Sequence, residues 1–460
     1  MKNLFIEEFR IQGLFGYKDL YLKFKNQVLI LIGENGFGKT TLLNALYFVL
    51  SNQYQKLSTI KFNRISIRLE NEDYSFSNEQ VIEYCKYIER KKHIDDDGLY
   101  TFIKNSLLEE ELQYLASSVQ EPEKRNDVFA YIKKHHALKQ LPPQMAYQRI
   151  YDLIEEQKLI ATFDKIKKKI AEKNIHILYL PTYRRIEGEL KDLIPNLRRP
   201  GIGHQYDDTE RFLTNDLVVK FGMQDVELRI ERIINTIREG SLSGFASVYG
   251  NMISQLLNIG SIKKDVPEFN VDEIKIILDR VGVNLRENDK LNILEQIQSR
   301  SENLKDNTLL VYFLEQLLNV YKKQEVNDTA IKTFRDTCNQ YLSDKAFVYD
   351  ESAVTLKLYR KINNDILTNK ENELRIKQLS SGEKQIISLF SRIYLEPKNN
   401  YIVLFDEPEL SLSIYWQEKL LPDILKSNRC SFLLAVTHSP FIFNNELKDF
   451  TVGIQEFIHE

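Results

Sequence analysis

The run Val28-Leu29-Ile30-Leu31-Ile32, followed at once by Gly33-Glu34-Asn35-Gly36-Phe37-Gly38-Lys39-Thr40, leaves this chain few options. A wholly apolar, β-branched stretch reads as a strand buried on both faces. The residues after it match GxxxxGK[ST], and Leu42 to Tyr47 then reads as the start of a helix. In that order, strand, glycine loop and helix let successive backbone N–H groups turn inward around a phosphate, and the helix N-terminus adds partial positive charge. Lys39 is placed to reach the outer phosphates and the Thr40 hydroxyl to ligate Mg²⁺, with Gly33, Asn35, Gly36, Gly38 and Thr41 completing the cradle. Only 17 of the 460 residues are glycine, so the match is not a product of composition.

Tyr401-Ile402-Val403-Leu404-Phe405-Asp406-Glu407 is a second buried-strand pattern, ending in two carboxylates. Beside a phosphate loop, Asp406 is suited to hold Mg²⁺ and Glu407 to act as general base on an attacking water. Leu379-Ser380-Ser381-Gly382-Glu383-Lys384-Gln385 reads as a helix start, with Ser380 or Ser381 as N-cap and Glu383 in the first turn. Phe432 to Val436 is a further buried strand, followed by Thr437-His438-Ser439-Pro440.

Strand patterns fall at the two ends of the chain. Phe5 to Ile11, Leu20 to Phe24 and Ile65 to Glu70 alternate at one end, and Val354 to Tyr359 at the other. The middle reads as helical, with Val81 to Lys92, Gln148 to Lys169 and most of 217–345, broken near Pro142-Pro143, Gly244, Gly260 and Pro267. Ile175 to Leu180 is a lone strand within it. Neither end has enough strands for an ordinary α/β sheet, so the two are expected to join. The expected spans are 1–77, a helical insertion 78–345 interrupted by a strand near 175–187, and 346–460.

Apolar residues make up 43% and charged residues 28%, with a net charge of −3. That is a soluble composition, and it gives no bulk-charge argument for nucleic-acid binding. No apolar run exceeds six residues, so no membrane span is expected. The acidic turn at Glu7-Glu8 and three scattered cysteines point to a reduced, cytoplasmic setting. The basic clusters at 133–136, 165–169 and 198–199 read mostly as solvated faces, while Arg184-Arg185 at a strand end is a candidate phosphate, DNA or partner contact. The apolar stretch Leu309 to Leu318 reads as a buried helix or a subunit interface, with core favoured.

Taken together, the four motifs resemble ABC-type P-loop ATPases. Leu379 to Gln385 is similar to the family's LSGGQ signature, in the LSxGEK form of the SMC, RecF and OLD relatives, with Ser381 replacing its first glycine. The resemblance implies an α/β ATPase head built from both chain ends around the insertion, binding and hydrolysing ATP with Mg²⁺. It implies that Ser380 and Gly382 contact the γ-phosphate of a nucleotide held by a second copy, so the chain should be at least a dimer. It makes His438 the switch histidine and Glu409 to Ser413 the D-loop, with Ser413 where the family often has Asp. Thr40 and Ser380 are 340 positions apart, far more than in a transporter subunit.

Three stretches narrow the resemblance: Ile11 to Tyr17, Leu178 to Glu187 and Val219 to Glu227. They look like the PtuA ATPases of Septu and retron anti-phage systems, which work with a separate HNH nuclease, PtuB. The resemblance therefore implies an HNH nuclease subunit as partner, with DNA a further candidate. The 20 residues after Pro440 are too few for the Toprim nuclease domain of OLD proteins. The rival reading is a RecF-like DNA-binding ATPase of repair without a nuclease partner, and a third is a nucleotide-sensing scaffold that barely turns ATP over.

Overall fold

The computed structural model describes residues 4–34, 36–93, 107, 111, 115, 125–181, 223–257, 268–281, 285–299, 307–363 and 365–459. The N-terminal part carries β1 (Ile6–Leu14), β2 (Lys18–Lys23), β3 (Val28–Ile32), α1 (Lys39–Leu50), α2 (Tyr54–Leu57), β4 (Arg64–Leu69), β5 (Glu72–Ser77) and α3 (Asn78–His93). The middle carries α4 (Arg125–Lys134), α5 (Pro143–Glu172), β6 (His176–Leu180), α6 (Gln224–Leu257), α7 (Val271–Val281), α8 (Glu287–Gln298) and α9 (Thr308–Asn339). The C-terminal part carries β7 (Lys345–Asp350), β8 (Thr355–Ile362), β9 (Asp365–Ile366), β10 (Glu373–Leu374), α10 (Ser381–Leu395), β11 (Tyr401–Asp406), α11 (Ile414–Lys426), β12 (Cys430–Thr437), β13 (Thr451–Gly453) and β14 (Ile458–His459). No helix among the described residues is long and apolar enough to cross a membrane.

The chain forms two compact units, residues 1–182, 399–409 and 430–460 in one and 183–398 and 410–429 in the other. These units cut across the three spans expected from the sequence. Residues just past 77 pack with the phosphate-loop lobe, and much of 346–460 packs with the long helices.

The first unit holds a parallel sheet of order β13-β3-β12-β11-β6. It joins the two chain ends, as expected for an α/β head, and takes β6 from the middle. β12 lies between β3 and β11, with Thr437 opposite Ile32 and Val436 opposite Asp406. Each residue of β11 is buried, which is why its sequence runs apolar without alternation. An antiparallel sheet of order β14-β2-β1-β4-β5 completes this unit. There Ile65, Ile67 and Leu69 are buried while their neighbours are not, the one-sided alternation visible in the sequence. Pro142 and Pro143 do end the preceding segment: Pro143 is the first residue of α5, where its missing N–H costs nothing.

In the second unit the expected break at Gly244 is absent, because α6 runs through it for 34 residues. The glycine serves close packing instead. A Cβ at Gly244 would lie 2.4 Å from Val320 Cγ1, and one at Gly240 would lie 2.2 Å from Gln324 Nε2. Gly260 and Pro267 lie outside the described residues. Val311, Leu314 and Leu317 of α9 are buried with Ile274, Ile277 and Leu278 of α7, so the apolar stretch is core. Strand structure resumes at Lys345, earlier than the alternation at Val354 indicates, and β7 pairs antiparallel with β8. The Arg280 guanidinium of α7 is bidentate on Asp328 of α9 at 2.7 and 3.1 Å. It also stacks over the Tyr321 ring, and the Tyr349 hydroxyl of β7 donates to the same carboxylate.

That pair is almost wholly buried, at 3% and 1% side-chain exposure. Removing one member leaves an unpaired charge in the interior, which costs about 3–5 kcal/mol. Arg280→Met is therefore expected to lower the unfolding midpoint of this unit sharply in urea. The double change Arg280→Met, Asp328→Leu should recover much of the loss.

Candidate functional site

The phosphate-loop residues lie directly after β3. Gly36 and Gly38 both have φ +86°, the left-handed region that strains any side chain. Gly38 is the N-cap of α1 and makes no side-chain cap bond, and the first turn holds no acidic residue. The helix start thus keeps open donors and uncompensated partial positive charge. Asn35 lies outside the described residues. Lys39 is 5% exposed and folds back over the loop, its Nζ donating to the carbonyls of Gly33 and Glu34 at 2.7 Å each. Burial draws this ammonium below its ordinary pKa, while Asp406, Glu407 and Glu409 pull it back up.

Thr40 Oγ1 donates to Asp406 Oδ1 at 3.2 Å across 366 residues of sequence. The two oxygens are hard donors of the kind Mg²⁺ takes. Glu407 has φ +49°, a left-handed conformation that costs a residue with a side chain about 1–2 kcal/mol. Its N–H donates to Val436 O at 2.8 Å, which fixes the turn that follows β11. A cleft of ≈ 220 Å³ is lined by Gly36, Gly38, Lys39, Thr40, Thr41, Asp406, Glu407 and His438, together with Phe15 and Val436.

His438 is exposed at the rim, immediately after β12. Its backbone N–H donates to Glu409 Oε1 at 2.8 Å, and Thr437 Oγ1 donates to Glu409 Oε2 at 2.7 Å. Glu409 therefore clamps the segment that carries the histidine, a role not visible in its placement at the start of the D-loop stretch. Phe15, at φ +59°, was also not read as a site residue. In the sequence it stands out only as a large aromatic between two glycines within the Ile11 to Tyr17 stretch. Tyr179 of β6 stacks on Tyr47 of α1 with ring centroids 4.5 Å apart and donates to Asn44 Oδ1 at 2.5 Å, seating that helix on the sheet.

The signature stretch belongs to the other unit. Ser380 caps α10 in a reciprocal box: its N–H donates to Glu383 Oε2 at 2.7 Å, and its Oγ accepts from Glu383 N–H at 3.4 Å. Ser380 and Ser381 are exposed, but Gly382 is buried. A Cβ at Gly382 would lie 2.5 Å from Ser411 O and 3.1 Å from the Trp416 ring. The bare Cα of Gly382 thus admits the D-loop backbone, a packing role beside the nucleotide contact expected from the sequence. Ser413 is the N-cap of α11 and accepts from Trp416 N–H at 3.4 Å.

A phosphate loop on β3, carboxylates at the end of a strand two places away and a histidine after the strand between them define an ABC-type ATPase head. The chain belongs to the AAA ATPase domain family, AAA_15, which it matches over residues 4–443. It is 28% identical over 191 residues to the retron Ec83 probable ATPase of Escherichia coli, covering 37% of this chain and 33% of that protein. A shorter stretch of 46 residues is 46% identical to the DNA replication and repair protein RecF of Rickettsia conorii, 10% of this chain and 13% of that one. The matches thus span about a third or less of these relatives. The Smc head domain of Pyrococcus furiosus aligns over 98% of this chain and 93% of its own at 12% identity, with a TM-score of 0.34, too loose a superposition to carry an argument.

The packing at Gly382 makes a paired prediction. Gly382→Ala is expected to destabilise the second unit by about 1–3 kcal/mol, because the clash is with backbone. Gly250→Ala, in open space on α6, should stabilise by about 0.5–1 kcal/mol. Thermal melts of both variants against the parent protein read the difference in sign.

Proposed function

We propose that this ATPase binds and hydrolyses Mg-ATP at sites shared between two copies of the chain, and that the cycle controls a separate HNH nuclease in anti-phage defence. The observation that carries the nucleotide part is the Thr40–Asp406 hydrogen bond, which joins the phosphate loop to the carboxylate strand in one cleft. Lys39 spends two of its three donors on loop carbonyls and keeps one for a phosphate oxygen. Mg²⁺, held by Thr40 and Asp406, would neutralise charge on the outer phosphates. Glu407 takes the proton of the attacking water. Ser380 Oγ, used as an acceptor by Glu383 N–H, retains its own proton to donate to the γ-phosphate of the opposite copy.

The nuclease part rests on the PtuA-like stretches and on similarity to the retron ATPase. Of those stretches, residues 182–187 and 219–222 lie outside the described residues, Arg184 and Arg185 among them. The RecF match favours a second reading, a DNA-binding repair ATPase with no nuclease partner. Co-purification from the native host with mass measurement separates the two. A stoichiometric small HNH protein supports the first, and its absence beside recombination proteins supports the second.

Lys39→Ala is expected to abolish tight Mg-ATP binding in calorimetric titration without unfolding the chain. Glu407→Gln should bind ATP normally but hydrolyse it about 10²–10⁴ times more slowly. Wild-type turnover in that variant would remove Glu407 from the role of base.

The shared site makes a separate prediction. Ser380→Arg should bind ATP but not hydrolyse it. Mixing Ser380→Arg chains with Lys39→Ala chains should restore part of the turnover once subunit exchange is verified, because one site of each mixed pair keeps both intact halves. A fully active monomer would reject the shared site.

A further inference from the structure

Glu383 is 6% exposed, although a capping glutamate ordinarily sits in water and needs no cation. A carboxylate withdrawn from water needs a charged partner. Lys345, the first residue of β7, supplies it, its Nζ lying 3.0 Å from Glu383 Oε1, the oxygen that the Ser380 N–H does not use. Each oxygen of Glu383 therefore has its own donor: Lys345 on one side, Ser380 on the other. β7 is itself pinned. Asn339, the last residue of α9, exchanges two hydrogen bonds with the backbone of Phe347, at 2.7 and 2.9 Å, and Tyr349 donates to the buried Asp328.

We propose that Lys345 is a positioning residue for the signature serine, acting through Glu383 to hold the Ser380 hydroxyl where a γ-phosphate can receive it. The inference rests on the shared-site reading above. Without Lys345 the buried carboxylate is uncompensated. It turns toward solvent, releases the Ser380 N–H, and loosens the α10 cap. Misplacement of a reacting or positioning group by about 1 Å costs up to about 10²-fold in rate. The Lys39 cleft belongs to the other unit and makes no use of this pair, so ATP affinity should not change.

The test measures turnover at saturating ATP and calorimetric ATP affinity for the full chain and for Lys345→Met, Glu383→Gln, Lys345→Met with Glu383→Gln, and Ser380→Ala. Lys345→Met is expected to lower kcat about 10–100-fold at unchanged ATP affinity. The double variant should be no slower than the worse single one, the non-additivity of residues acting as one unit. Should Lys345→Met lose its native melting transition, Glu383→Gln, which keeps an acceptor for Ser380 and drops the ion pair, carries the same expectation. If Ser380→Ala is slow while Lys345→Met and Glu383→Gln both turn over within twofold of the parent, the Lys345 proposal falls and the shared site stands. If Ser380→Ala is itself as fast as the parent, both fall. Equal losses of turnover and ATP affinity, or additive losses in the double variant, would also overturn it, since they mark a purely structural role.

Discussion

The hydrogen bond between Thr40 and Asp406 depends on the parallel register of three strands, and so does the cleft beside the phosphate loop. β12 sets β3 and β11 two strand spacings apart, with Thr437 opposite Ile32 and Val436 opposite Asp406. A slip of one residue in either pairing would turn every side chain of the strand to its other face. Because these strands are apolar on both faces, the cost of such a slip falls at the strand end, where Asp406 would no longer face Thr40. The cleft therefore collects residues from the loops after β3, β11 and β12, at the carboxyl ends of parallel strands, where α/β folds place their ligands.

The second unit is held in a different way. Its long helices meet over an apolar core, but the contacts that fix their details are buried and charged. Arg280 and Asp328 tie α7 to α9, Tyr349 ties β7 to the same carboxylate, and Arg229 of α6 reaches Glu396 just beyond α10 at 2.8 Å. Buried pairs of this kind add little net stability, yet they penalise any arrangement that separates the partners. They make the unit particular about how β7 and α10 are presented, and α10 carries the signature serine.

Much of the cleft was legible because its chemistry is contiguous in sequence. Lys39 and Thr40 follow their own strand directly, and Asp406 and Glu407 end theirs. Other site residues left no such trace. Glu409 acts by accepting two hydrogen bonds from a segment nearly thirty residues away, and a lone Glu carries no mark of its acceptors. The break expected at Gly244 is absent, and the packing at Gly382 left no mark in the sequence, for a shared reason. A glycine in a sequence signals a turn, a break or a ligand approach equally well, and which of these applies depends on what packs against its bare Cα. Here that is Val320 in one case and the Ser411 carbonyl in the other.

By itself the sequence determined the strand–loop–helix at 28–50, the carboxylates closing β11, the cap that opens α10 and the joining of both chain ends in one sheet. These follow from hydrophobic period, backbone conformational limits and capping, all of which act within a few residues of one another. Only the tertiary structure decided that the chain divides into units cutting across those segments, that Glu409 clamps the segment carrying His438, and that Glu383 is buried and needs Lys345. Each of these depends on contacts between distant parts of the chain, and whether a charge such as Glu383 leaves water is set by the neighbours so brought in.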